Sequence, residues 1–232
     1  MKLNYLKLFY HILFPSILFL GSLGYGQNTQ RTNDPYREDQ VYLGLSFLSI
    51  VRNQSDFFQK GVSSHFQIGI IRDLPLSANG KWAAGIGLGY STAQFSSNLK
   101  RRSSSNTEKT AYELEREAGS STIAHGFQSI EFPIELRWRN SSPTDYQFWR
   151  VHTGIKFLWN ISAKSKFEHS KTNILNEVNR WSHELFVAFG YNTWNIYVSY
   201  EIKAVLTNLP IINMENSLQM NALKLGLIFF LL

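Results

Sequence analysis

The sequence predicts an all-β protein, an eight-stranded antiparallel up-and-down transmembrane β-barrel with a polar, plugged lumen. Three observations predict it: alternation of apolar and polar residues recurs along eight segments, a basic and then apolar leader precedes them, and the connections alternate between longer and shorter. The clearest segment is Ser129 to Arg139. Its even-numbered residues Ile130, Phe132, Ile134, Leu136 and Trp138 are apolar, while Glu131, Pro133, Glu135, Arg137 and Arg139 alternate with them. A strand sends successive side chains to opposite faces, so one face is wholly apolar and the other carries two acids and two bases. In a soluble sheet the apolar face would look into a core. The small and polar faces of the other segments favour the opposite arrangement, with hydrocarbon outside and ions within.

The leader carries Lys2 and Lys7, an apolar run from Leu8 to Leu23, and Gly24-Tyr25-Gly26 ahead of a polar stretch. This is the pattern of a secretory signal peptide over residues 1–26. His11 and Pro15 interrupt the run, which is shorter than the roughly 20 residues of a spanning helix. Residues 27–40, polar and without periodicity, read as a periplasmic lead-in, and 41–232 as the barrel, so the expected address is the cell outer membrane. The chain has no cysteine, which excludes a lipid anchor on a leader cysteine, disulfides and thiolate metal sites. Later stretches contain no continuous apolar span, which excludes a helical membrane protein; a barrel escapes that test because lumen residues dilute its apolar ones. The net charge of +6 includes the leader lysines, so it does not point to nucleic acid.

The first strand places Val41, Leu43, Leu45 and Phe47 on one face and Tyr42, Gly44, Ser46 and Leu48 on the other. The second sets Phe66, Ile68 and Ile70 against His65, Gln67 and Gly69, and closes near Pro75 with a turn at Asn79-Gly80. In the third, Trp82, Ala84, Ile86, Leu88 and Tyr90 oppose Ala83, Gly85, Gly87, Gly89 and Ser91. Glycine weakens a strand, so three in register call for a reason. Close approach of opposing walls in a narrow barrel supplies one, and the small residues are also expected to leave room for the long Glu and Arg side chains of the fourth strand. The polar stretch Asn98 to Gly126 then reads as a long extracellular loop, with helix-like composition over Thr107 to Ala118. Pro133 lacks a ladder donor, so a bulge or missing bond is expected beside it.

The fifth strand sets Val151, Thr153, Ile155, Phe157, Trp159 and Ile161 outward and His152, Gly154, Lys156, Asn160 and Ser162 inward. After a polar loop from Lys166 to Asn179, the sixth sets Trp181, Leu185, Val187, Phe189 and Tyr191 against Ser182, Glu184, Ala188 and Gly190. A tight turn at Asn192-Thr193 leads to the seventh, with Trp194, Ile196, Val198, Tyr200 and Ile202 against Asn195, Ser199, Glu201 and Lys203. The last, Ala222 to Leu232, sets Leu223, Leu225, Leu227, Phe229 and Leu231 against Lys224 and Gly226. Trp82, Trp138, Trp149, Tyr191 and Trp194 fall near the short-turn ends, as an aromatic girdle does.

In this register the lumen collects Glu131, Glu135, Arg137, Arg139, His152, Lys156, Glu184, Glu201, Lys203 and Lys224. Eight strands leave an interior that side chains fill, so these charges are expected to pair across it as a structural ion network with no open pore. Sliding the fourth strand by one residue would turn Arg137 and Arg139 toward lipid at ~2–4 kcal/mol each near the midplane. Paired carboxylates also suggest acid–base catalysis, but neighbouring cations and a filled lumen favour the structural role. A lipid-modifying barrel needs a serine–histidine pair on the lipid face. Ser182 and His183 are adjacent and so point oppositely, while His125 and Ser129 share a face only if their strand begins early. His65, His152, His169 and His183 lack metal-ligand spacing. No catalytic residue, cofactor or metal is expected.

Ile130-Glu131-Phe132-Pro133-Ile134-Glu135-Leu136-Arg137 resembles the glutamate-x-proline strand of the PorT-like outer-membrane β-barrel family of Bacteroidota. The stretches 84–91 and 153–156 are similar to its glycine-containing neighbours; Glu135 departs from the apolar residue common there. The resemblance implies a non-enzymatic accessory or scaffold, in a family some of whose members serve type IX protein secretion and gliding. Its partners would be outer-membrane lipid and other outer-membrane or secretion components, met through extracellular loops or lipid-facing aromatics. A small channel or transport protein is the alternative reading, and a lipid-modifying enzyme a third.

Overall fold

The computed structural model describes residues 38–52, 56–103, 110–114, 123–140, 148–168, 170–203, 206 and 219–231. The signal-peptide assignment, nearly all of the lead-in, His169, most of the short turn expected over Asn140 to Phe148 around Pro143, most of the polar loop expected over Thr207 to Gln219, and Leu232 fall outside them. Eleven strands are described: β1 (Gln40–Arg52), β2 (Ser64–Pro75), β3 (Trp82–Ser97), β4 (Leu99–Ser103), β5 (Thr110–Leu114), β6 (Ile123–Arg139), β7 (Trp149–Phe167), β8 (Ser170–Asn173), β9 (Trp181–Tyr191), β10 (Trp194–Glu201) and β11 (Met220–Leu231).

Eight of them form a closed antiparallel meander in the order β6-β3-β2-β1-β11-β10-β9-β7, with β7 pairing back onto β6. Closure leaves no edge for another chain to template on. The remaining three lie at one end: β4 and β5 form a separate two-stranded ribbon, and β8 folds back on the top of β7.

The register fixes the barrel's tilt. Stepping across paired residues from Trp82 through Trp138, Val151, Phe189, Ile196, Leu227, Leu45 and Phe66 returns to β3 at Thr92, ten residues along. A stagger of ten on eight strands sets a tilt of about 40°, so height rises about 2.5 Å per residue and about 3 Å per strand step. Trp149 and Trp159 on β7, both facing outward, are therefore about 25 Å apart in height, the thickness of a lipid-facing band. Trp82 stands cross-strand from Trp138 and Tyr191 from both Trp149 and Trp194, giving the lower girdle, while Trp159 stacks on Trp181 at 6.1 Å in the upper one.

The decisive strand is β6. Ile134 and Leu136 are 48% and 43% exposed, whereas Glu135 and Arg137 retain 4% and 1% exposure. Aliphatic and aromatic side chains continue outward on every barrel strand, an apolar belt far larger than a water-soluble monomer carries.

The structure departs from the sequence expectation at several places. β6 begins at Ile123, so the preceding loop is shorter than Asn98 to Gly126. Within Thr107 to Ala118 the described residues 110–114 are a strand paired with β4, because ladder pairing outweighs local helix propensity. The β3–β6 ladder skips Phe132 and Pro133, as expected beside a residue with no N–H. A bulge lies higher, where Gln128 pairs with Ser162 and Ser129 with Asn160. It moves Ser162 off the inner face, which Ala163 and Ser165 continue.

Candidate functional site

The lumen is where the charged residues converge, and it is filled at three levels. At the short-turn end, Asp73 on β2 lies between two arginines of β6. Arg137 Nη1 is 2.9 Å from its Oδ1 and Arg139 Nη2 3.0 Å from its Oδ2. Arg137 also donates through Nε to Glu135 at 2.5 Å and through Nη1 to the Glu38 carbonyl at 3.2 Å. Glu38 returns the contact, its N–H donating to Asp73 at 3.2 Å and its carboxylate lying 3.5 Å from Arg139. The segment leading into β1 is thereby drawn into the barrel mouth. Arg150 stacks its guanidinium over Phe148 at 4.6 Å, and His152 lies 3.7 Å from Glu135.

The middle level is a second network. Tyr42 donates to Glu131 at 3.1 Å, and Tyr197 to Glu184 at 2.6 Å. Lys156 reaches Gln67, donates to Tyr197 at 2.9 Å and lies 3.7 Å from Glu131; Lys224 pairs directly with Glu184. Glu184 and Glu201 stand directly opposite on β9 and β10, a like-charge juxtaposition eased by the pairing of Glu184 with Lys224. The aromatic rings supply further cation binding, with Lys156 Nζ 4.7 Å from the Tyr197 ring centre.

The third level is apolar. Leu48, Ile50, Phe95, Phe127, Ala163, Met220 and Ala222 take over the inner face toward the long-loop end, and Phe57, Leu99, Tyr112, Leu114, Ile174, Val178 and Leu206 pack on them. Between this cap and the ions, Ser129 donates to Asn160 at 2.6 Å, and Asn160 to the Asn179 carbonyl at 2.6 Å. A cavity of about 30 Å3 lies at the junction, room for a water molecule or two and no solute.

Of the ten sequence-predicted lumen residues, Glu131, Glu135, Arg137, Arg139, His152, Lys156, Glu184, Glu201 and Lys224 are buried on the inner face. Lys203 is not. β10 ends at Glu201 and the chain bends, so Lys203 is exposed beyond the barrel wall. Sequence reasoning missed Glu38, Asp73, Arg150 and Tyr197. Asp73, Arg150 and Tyr197 each fall in step with an inner-face residue two or four positions away, a signal recovered by extending the alternation to the strand end for Asp73 and Arg150 and by filling it between Asn195 and Ser199 for Tyr197.

Ser182 is buried in the lumen, while His183 faces out against Phe157 at a 5.3 Å ring separation. His125 and Ser129 do share a face, since β6 begins early, but it is the inner one. Among the described residues no cluster of His, Asp or Glu is arranged to hold a metal ion.

An apolar belt around a closed, ion-filled barrel is the architecture of an outer-membrane protein. The chain matches the outer membrane protein beta-barrel domain over residues 25–209. It belongs to that family. This outer-membrane barrel accordingly resides in the outer membrane. No curated protein matches it. Among solved structures it is similar to Ail, the attachment invasion locus protein of Yersinia pestis, at 14% identity and a TM-score of 0.35, covering 83% of this chain and 97% of that one. The same protein in complex with the heparin analogue sucrose octasulfate matches at 12% identity and a TM-score of 0.37, covering 84% and 99%.

Proposed function

We propose that this outer-membrane barrel works from its surfaces rather than through its lumen, as a non-enzymatic accessory or scaffold protein. The observation that carries this reading is closure at three successive levels: the Glu38–Asp73–Arg137–Arg139 cluster, the Lys156–Glu131–Glu184–Lys224 network and the apolar cap. A transport role would need a continuous polar path, and the packed Phe95, Phe127 and Leu48 interrupt it. A lipid-modifying role would need a serine–histidine pair facing lipid, and the described residues place Ser182 and His183 on opposite faces.

The specific form of the proposal is a place beside the type IX translocon, supported by the resemblance of Ile130 to Arg137 to the PorT-like strand. Partners would engage the extracellular connections or the lipid-facing aromatics, and residues 1–26 would direct export. Two measurements test it. Reconstituted in planar bilayers, the protein is expected to show no steady openings; conductance that disappears in Glu135→Gln or Arg137→Gln would establish a channel instead. Purified from gently solubilised native membrane, the tagged protein is expected in a larger outer-membrane complex containing secretion components, and recovery as an isolated monomer would overturn the scaffold reading.

A further inference from the structure

The lipid-facing side of β1, β2 and β3 carries an apolar groove of about 420 Å3, lined by Val41, Ile70, Ile86 and Leu88 and bordered by Asp39 and Arg72. The volume falls within the range of small-ligand sites. Arg72 projects from the same face as Ile70, and its side chain is 61% exposed, that of Asp39 46%. Arg72 pairs with Ile86, four residues above Trp82, so it lies about 7 Å above Trp82 and level with Trp194. That is the headgroup depth of the periplasmic leaflet, where a guanidinium is tolerated on the lipid face.

The two charges are held in place. Arg72 Nη1 donates to Asp39 Oδ2 at 2.5 Å, and the Asp73 N–H donates to Asp39 Oδ1 at 2.9 Å. A guanidinium has five N–H donors and a carboxylate about four acceptor positions, so each keeps capacity for a further partner. The groove thus ends in a fixed positive group beside a fixed negative one. We propose that it binds one zwitterionic glycerophospholipid of the inner leaflet bearing a primary ammonium headgroup. Arg72 takes the phosphate, Asp39 takes the ammonium, and an acyl chain lies along Ile70 and Ile86. An anionic lipid without an ammonium meets repulsion from Asp39. A choline headgroup has no N–H to donate to it.

The full chain, stripped of native lipid in detergent, is offered phosphatidylethanolamine, phosphatidylcholine or phosphatidylglycerol with identical acyl chains, and retained lipid is counted by native mass spectrometry. Phosphatidylethanolamine is expected to be retained about fivefold more than either competitor, the factor one charge-assisted contact at a half-exposed site supplies. Arg72→Ala lowers that retention to the phosphatidylcholine level, Asp39→Asn shifts preference toward phosphatidylglycerol, and Ile70→Trp, which fills the groove, lowers all three. Folding of each variant is checked by heat-modifiable gel mobility, and Arg72→Lys, which keeps the charge, retains phosphatidylethanolamine at a level between those of the wild type and Arg72→Ala. Equal retention of the three lipids, a wild-type preference for phosphatidylglycerol, unchanged retention in folded Arg72→Ala, or a lipid-free dimer at this face would overturn the proposal.

Discussion

Gly85 on β3 stands directly opposite Glu135 on β6, and a Cβ placed on Gly85 would lie 2.7 Å from the Glu135 Cγ and 2.9 Å from the Arg137 Nε. The missing side chain is the space that the ion cluster occupies. Gly89, four residues on, likewise makes way for the Tyr42 hydroxyl.

Gly85→Val therefore forces Glu135 and Arg137 from their partners and destabilises the barrel by about 1–3 kcal/mol from overpacking alone. Urea unfolding from lipid vesicles, followed by tryptophan fluorescence, measures it. Ala84→Val, one position away on the lipid face, is expected to cost under about 0.5 kcal/mol, as substitutions away from packed features do.

Asp73→Ala leaves Arg137 and Arg139 buried without their shared carboxylate, at an expected cost of about 3–5 kcal/mol. Glu38→Gln, which keeps the backbone contacts to Asp73 and Arg137, is expected to cost less. The same unfolding measurement ranks the two, and reversal of the order would refute the central position of Asp73.

Outside the membrane, Tyr112 on β5 donates to Glu177, which also holds Arg101 Nε at 2.9 Å. Burial first, and then Glu177, push the Tyr112 hydroxyl above its ordinary value of 10. A raised value in the folded state favours the protonated form. This contribution is therefore complete below pH 10 and is lost as pH rises toward the folded-state value. Protease cleavage of the β4–β5 ribbon is expected to accelerate above pH 10 in the wild type. Tyr112→Phe removes that pH dependence while keeping the ring in the cap.

Asn192 turns the β9–β10 hairpin with φ of 54°, a left-handed conformation. Asn192→Val is expected to cost about 1–2 kcal/mol, since a branched side chain crowds the carbonyl there, and Asn192→Gly to be nearly neutral. Refolding yield into vesicles, compared across the three proteins, checks the order.

The membrane-facing half of this molecule was legible because lipid tolerates so little: β6 can be read residue by residue from its alternation. The upper half was not. Alternation with Tyr42, Gly44 and Ser46 already turned Leu48 inward, but Ile50, Phe95 and Phe127 also point inward beneath the cap, and an apolar inner face offers no polar contrast to read where the surroundings change from hydrocarbon to water. Asp73 escaped notice because Ile70-Ile71 blurs the period of two just before it. Glu38 precedes the first strand altogether, and only the folded mouth shows why it matters. The bulge at Ile161, opposite Gln128 and Ser129, leaves no local sequence mark, since it depends on a partner strand more than 30 residues away.

Beyond the Trp159–Trp181 level, β7 continues eight residues to Phe167, about 20 Å of further height at this tilt. Along β3, β6 and β7 the wall thus rises above membrane level as one side of a turret with its own hydrophobic filling, while β9 and β10 end near the upper girdle at Trp181 and Glu201. Recognition there depends on shape: a binder raised against the native turret loses its target when the cap is melted, even where every loop peptide is still present.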